Sequence, residues 1–235
     1  MNGSPLTLEP LFTIGPVPIT EPVAATWAIM ALLALFCFLM TRRLTIMPSR
    51  TQAVLEMLVE AIDDQIEATM QVDASPYRAL IGSIFIYILL ANWSSILPGV
   101  EPPTAHIETD AALALIVLAA TVVFGIASRG VGGYLKTFAE PSWVMIPLNV
   151  AEQFTRTFSL IVRLFGNIMG GVFVVSIVLS LAGLLAPIPL MALDLLTGAV
   201  QAYIFAILAT VFIGATVDGQ QKTRPQSSHQ KPESS

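Results

Sequence analysis

From about Met145 to Val217 the chain is almost unbroken apolar sequence, interrupted only at Ala186-Pro187-Ile188-Pro189. Two prolines two residues apart remove backbone donors and disfavour continuous helix, so the block reads as a helical hairpin. Apolar sequence on this scale has no soluble core large enough to hold it, and the solvent it fits is lipid. The composition agrees: of 235 residues, 55% are hydrophobic and 11% charged, where soluble domains carry about 25% charged residues. An arm of about 38 residues reaches roughly 57 Å at 1.5 Å per residue, against a hydrocarbon core near 30 Å. Steep tilt is the expected accommodation, and two long oblique helices suit a protein that presents a flank to something round.

Further apolar stretches complete an all-α membrane protein. The expected helices are about 23–41, 77–97, 110–128, 145–185 and 188–217, with an interfacial helix at 51–69. In the last, Val54, Leu55, Leu58, Ile62 and Ile66 share one face, while Glu56, Glu60, Asp63, Asp64 and Glu67 lie largely on the other. A solvated connector helix is the favoured reading of this pattern. Residues 1–22, acidic and proline-rich, read as an external segment and not as a signal peptide. Residues 218–235, with His229 among them, are polar and expected to be disordered.

Nine of the eleven basic residues fall on one side of five alternating spans, and Arg156 and Arg163 are the exceptions. The positive-inside rule then sets the N-terminus outside and the C-terminus in the cytoplasm of a bacterial-type inner membrane. Cys37 is alone, inside the first apolar run, which excludes an internal disulfide. The sequence has no glycine-rich phosphate loop and no metal-ligand spacing. No cofactor, metal or nucleic-acid partner is expected.

The chemistry sits in PLNVAEQFTRTFSLIVRLFGNIMGG, residues 147–171, where Asn149, Glu152, Arg156, Ser159, Arg163 and Asn167 recur at helical spacing on one face. A charge near the bilayer centre costs at least about 2.5 kcal/mol on insertion scales, so it persists where it meets a partner or water. Arg156 has Glu152 four residues before it, so a structural pair explains it as well as a functional role does. Arg163 has no acidic residue at three or four residues in either direction. Its counter-charge must come from another helix or another chain. Gly166, Gly170 and Gly171 leave a smooth surface beside it, fit either for ordinary helix packing or for the close passage of a carboxylate-bearing partner. On the second arm Asp194, Gly198 and Gln201 share a face. Asp194 reads as part of a water-filled path in preference to a buried carboxyl. Gln201 is placed to bond either Arg163 or another neighbouring helix.

These residues resemble subunit a of F-type ATP synthases. The match lies in RLFGN at 163–167, PLN at 147–149, QAYIF at 201–205, ANWSSILPG at the end of the second span and GVGGY at 130–134. The resemblance implies a stator lying against a ring of c subunits, held by b-type peripheral stalk subunits, with two offset half-channels. The chain itself would catalyse nothing; ion flow through it would turn the ring and drive ATP synthesis or ATP-driven pumping elsewhere. The implied ion is H+, with Na+ as the alternative. Arg163 matches the family's essential arginine, and Asn167 and Gln201 match polar residues near it. Asp194 matches a position often polar or ionisable. Gly166, Gly170 and Gly171 would face the ring, and Glu152, Arg156, Ser159 and Asn149 are candidates for the cytoplasmic path. His106, Glu108 and Asp110 would line the outer entrance, or lie in a solvated loop. Two departures stand out: Thr157 where many members have Pro, and Val172 where many have an acid, with Asp194 as the candidate replacement carboxyl. The rival from another class is a secondary transporter or channel, which would show paired repeats. A plain membrane anchor would carry no lone arginine.

Overall fold

The computed structural model describes residues 10–14, 17–42, 50–96, 102–139, 143, 146–183 and 186–217. The tail from Asp218, with His229, lies outside the described residues. A short antiparallel hairpin, β1 (Pro10–Ile14) and β2 (Val17–Thr20), precedes the membrane domain. The helices are α1 (Glu21–Thr41), α2 (Arg50–Met70), α3 (Ser75–Trp93), α4 (Ile107–Ala139), α5 (Ile146–Ala182) and α6 (Pro187–Val217). Short 3₁₀ turns occupy Ser94–Ile96 and Pro103–Ala105. All but α2 are long and apolar enough to cross a membrane.

Local chemistry explains the ends. Gly183 takes φ +76° just past α5, the left-handed conformation that closes helices cheaply only at glycine. Pro187 and Pro189 fall in the first turn of α6, where a missing N–H costs nothing. The third span is longer than expected: it continues past residue 128 to Ala139, turning sharply at Gly130 with φ 72° and ψ 165°. Beyond that turn the ring of Tyr134 packs on Gly125, where a methyl group would sit 2.7 Å from Tyr134 Cε2.

α6 is the central element. Ile84 and Ile88 of α3, Leu113 and Val117 of α4, Leu160 and Leu164 of α5 and Ala202 and Phe205 of α6 form one buried cluster. Ile66 and Met70 of α2 join Tyr77, Ile81, Ala206 and Ile213 in a second. Water does not drive packing between spans, so close approach of small residues must. The buried face of α6 supplies them as Gly198, Ala202, Ala206, Ala209 and Gly214. The amphipathic α2 docks by its C-terminal half. Met70 Cγ lies 3.0 Å from where a methyl on Gly214 would be, Tyr203 Oη donates to Gln65 Oε1 at 2.9 Å, and Asp63 pairs with Arg78 at 2.5 Å. Of its expected apolar face only Ile66 is fully buried, while Val54 and Leu58 remain exposed.

Candidate functional site

The polar stripe of α5 opens into a cleft of about 610 Å³ between α5 and α6. Glu152, Arg156, Ser159 and Arg163 line it, with Leu208 and Phe212 opposite. The two arginines, seven residues apart on one face, are held differently. Arg156 pairs with Glu152, and its guanidinium lies 5.3 Å from the centroid of the Phe212 ring. A cation over an aromatic face is stabilised by about 0.5–2 kcal/mol, so Arg156 is fixed against α6. Arg163 is exposed and, among the described residues, forms no ion pair or hydrogen bond. Asn149 is half-buried near the start of α5, outside the lining of the cleft.

Of the two partners open to Gln201, Arg163 is not the one it bonds, since Arg163 forms no hydrogen bond among the described residues. Gln201 is buried, its Nε2 has no partner, and Asn167 Nδ2 is in the same condition. Both amides face inward, whereas Arg163 faces out.

The three glycines also divide. Nothing lies within 4 Å of where a methyl on Gly166 or Gly170 would be. At Gly171 a methyl would collide with the Asp194 carboxylate. Gly171 therefore turns toward α6 and makes room for Asp194, and does not join the other two on an outward surface. Asp194 is half-buried and accepts from Ser95 Oγ at 3.5 Å.

α3 carries residues that the sequence reading quotes only within ANWSSILPG and gives no role of their own. Asn92, 2% exposed, donates Nδ2 to the Gly198 carbonyl at 2.8 Å and accepts from Thr104 Oγ1 at 2.8 Å. Trp93 Nε1 donates to the Leu195 carbonyl at 3.2 Å. A methyl on Gly198 would stand 3.0 Å from Asn92 Cβ, so the glycine is what lets Asn92 reach the helix backbone. The available signal was an amide inside an apolar span, which must find a partner there.

The outer trio is split too. His106 is half-buried and Glu108 exposed, but Asp110 is 0% exposed, and neither of its carboxylate oxygens has a hydrogen-bond partner. It lies within the bundle, in the first turn of α4, and not in a solvated loop. Among the described residues no cluster of three His, Cys, Asp or Glu is placed to hold a metal ion.

Comparison with known proteins gives a consistent result. The family described as ATP synthase A chain matches residues 23–214. ATP synthase subunit a 2 of Bradyrhizobium sp. (strain BTAi1) is 56% identical over 222 residues, covering 94% of this chain and 100% of that protein. ATP synthase subunit a of Albidiferax ferrireducens is 41% identical, with 92% and 94% of the two chains covered. ATP synthase subunit a 1 of Chlorobaculum parvum is 44% identical, with 91% and 95% covered.

Proposed function

This chain belongs to the ATP synthase A chain family, and on that premise we propose that it is the stator through which protons cross the membrane to turn a ring of c subunits. It is an integral membrane protein of the membrane sector of an F-type ATP synthase. The observation that carries the finer reading is Arg163: a permanent cation, exposed in a polar cleft of a membrane helix, with no counter-charge among the described residues. An anion from another chain completes it. A carboxylate on each ring subunit, moving past the open surface of Gly166 and Gly170, supplies one.

The arginine acts through electrostatics. Close to a ring carboxylate it favours the ionised form, and so strips the proton before that subunit passes. As a fixed cation it also repels a proton moving directly from one half-channel to the other. The cleft of Glu152, Arg156, Ser159 and Arg163 is the cytoplasmic half-channel, while Ser95, Asp194, Asn167 and Gln201 belong to the outer one. His106 and Glu108 stand at its mouth. Each proton driven through releases about 2.3 kcal/mol per 100 mV, taken up as rotation. The b-type peripheral stalk holds the chain against the torque. The membrane is the bacterial inner membrane, with the N-terminus outside and the C-terminus cytoplasmic.

The test is Arg163→Ala in the whole complex, reconstituted in vesicles. ATP-driven proton uptake is expected to fall by about 10²-fold or more, the scale for removing a preorganised charge in a low-dielectric site, with every subunit still assembled. Uptake at the unmutated rate would overturn the reading. Uptake that depends on sodium in place of protons would replace the ion.

A further inference from the structure

Asp110, Asn167 and Gln201 lie on three different helices, and helix geometry brings them to one level. Leu113, Ala114 and Val117 of α4 pack with Leu164 of α5 and Ala202 and Phe205 of α6. One turn along each helix on the same face are Asp110, three before Leu113; Asn167, three after Leu164; and Gln201, four before Phe205. Because α5 runs opposite to α4 and α6, all three steps go the same way. On α3 the same step leads from the clustered Ile88 to Asn92. Asn92 and Thr104 satisfy one another. The other three do not: the two Asp110 oxygens are acceptors, and Asn167 Nδ2 and Gln201 Nε2 are donors, all buried and without partners.

We propose that Asp110 is a proton-relay carboxyl inside the outer half-channel, flanked by the Asn167 and Gln201 amides. The inference rests on the half-channel reading above. Its chemistry is one reversible step. The carboxylate takes a proton arriving from the outer side to become the neutral acid, then gives that proton to water on the ring side and returns to carboxylate. Only O–H bonds form and break. A helix N-terminus accounts for an acidic residue in the first turn of α4, but Glu108 already supplies one in the open. A dipole partner gains nothing from burial. A purely structural side chain here would carry hydrogen bonds, as that of Asn92 does, and the Asp110 carboxylate accepts none. The Tyr87 hydroxyl of α3 is engaged with Thr26 at 3.1 Å.

The assay is initial ATP-driven proton uptake by the intact complex in vesicles, for Asp110→Asn, Asp110→Glu and Arg163→Ala side by side, with assembly checked by subunit mass spectrometry. Asp110→Asn keeps the shape and loses the proton site, and uptake is expected to fall on the order of 10²-fold, the scale of lost general acid–base transfer. Asp110→Glu restores most of it, which a role in packing alone would not produce. Uptake by Asp110→Asn at the unmutated rate, with Arg163→Ala inactive, overturns the relay and leaves the half-channel reading standing. An active Arg163→Ala overturns that reading instead. If Asp110→Asn does not assemble, the unmutated complex is treated with a hydrophobic carbodiimide, which attacks protonated carboxyls. An adduct on the Asp110 peptide is expected, and its absence when the ring carboxyls are fully modified overturns the relay.

Discussion

The two arms of the long hairpin are alike in length and apolar character, but 44% of the α6 span is buried within the chain and only 11% of the α5 span. α6 is the centre of the bundle, carrying small residues and backbone carbonyls that α3 side chains reach. α5 keeps Leu160, Leu164 and Ile168 inside and turns Phe154, Phe158, Val162, Phe173 and Arg163 outward. A hydrophobic outward face meets lipid or protein equally well. An outward arginine does not. The asymmetry shows that one arm is packed by this chain while the other turns most of its surface outward.

That contrast is open to attack, beginning with the largest effect. Arg163→Ala should abolish coupled uptake while leaving thermal stability of the purified subunit within about 0.5 kcal/mol, as surface changes do; a large loss of stability would break the distinction between the arms. Gly166→Leu, on the same open surface, should also spare stability yet reduce uptake by about tenfold, a steric cost near 1.4 kcal/mol on a passing partner. On α6 the order reverses. Gly198→Ala forces Asn92 away and should destabilise the subunit by about 1–3 kcal/mol, read as a lower denaturation midpoint in detergent. On the inward side of α5, Gly171→Ala, which meets only the carboxylate end of the Asp194 side chain, should cost about 1 kcal/mol, and Asp194→Ala in the same chain should cancel that cost in a double-mutant cycle. Phe212→Leu should be smallest, about 0.5–1 kcal/mol for the lost contact with Arg156, with the Glu152 pair intact.

The hairpin and the stripe were legible because charge is conspicuous in apolar sequence: Arg163 reads as unpaired from its neighbours at three and four residues, and among the described residues it has no partner. What could not be read depends on how helices meet. Gly170 and Gly171 are adjacent in sequence, and only the position of Asp194 shows that they serve different surfaces. Asp110 was open between an outer-entrance residue and a loop carboxylate because it follows two prolines and precedes an apolar run. Its burial comes from the bundle closing over the first turn of α4. Asn92 was given no role for the opposite reason, since a neutral amide near the end of a span resembles an interfacial residue. The N-terminal hairpin was read only as part of a proline-rich external segment, and prolines at 10, 16 and 18 are residues that strands usually exclude.

The bonds from α3 to α6 also constrain the order of biosynthesis. Asn92 and the Gly198 carbonyl that its Nδ2 reaches are 106 residues apart. At roughly 5–20 residues per second, a ribosome needs on the order of 5–20 s to deliver the second after the first. Through that interval α3 sits in the membrane with a side chain whose final acceptor has not been made. A nascent chain stalled before α6 would therefore display Asn92 and Trp93 to whatever surveys the bilayer for unfinished proteins.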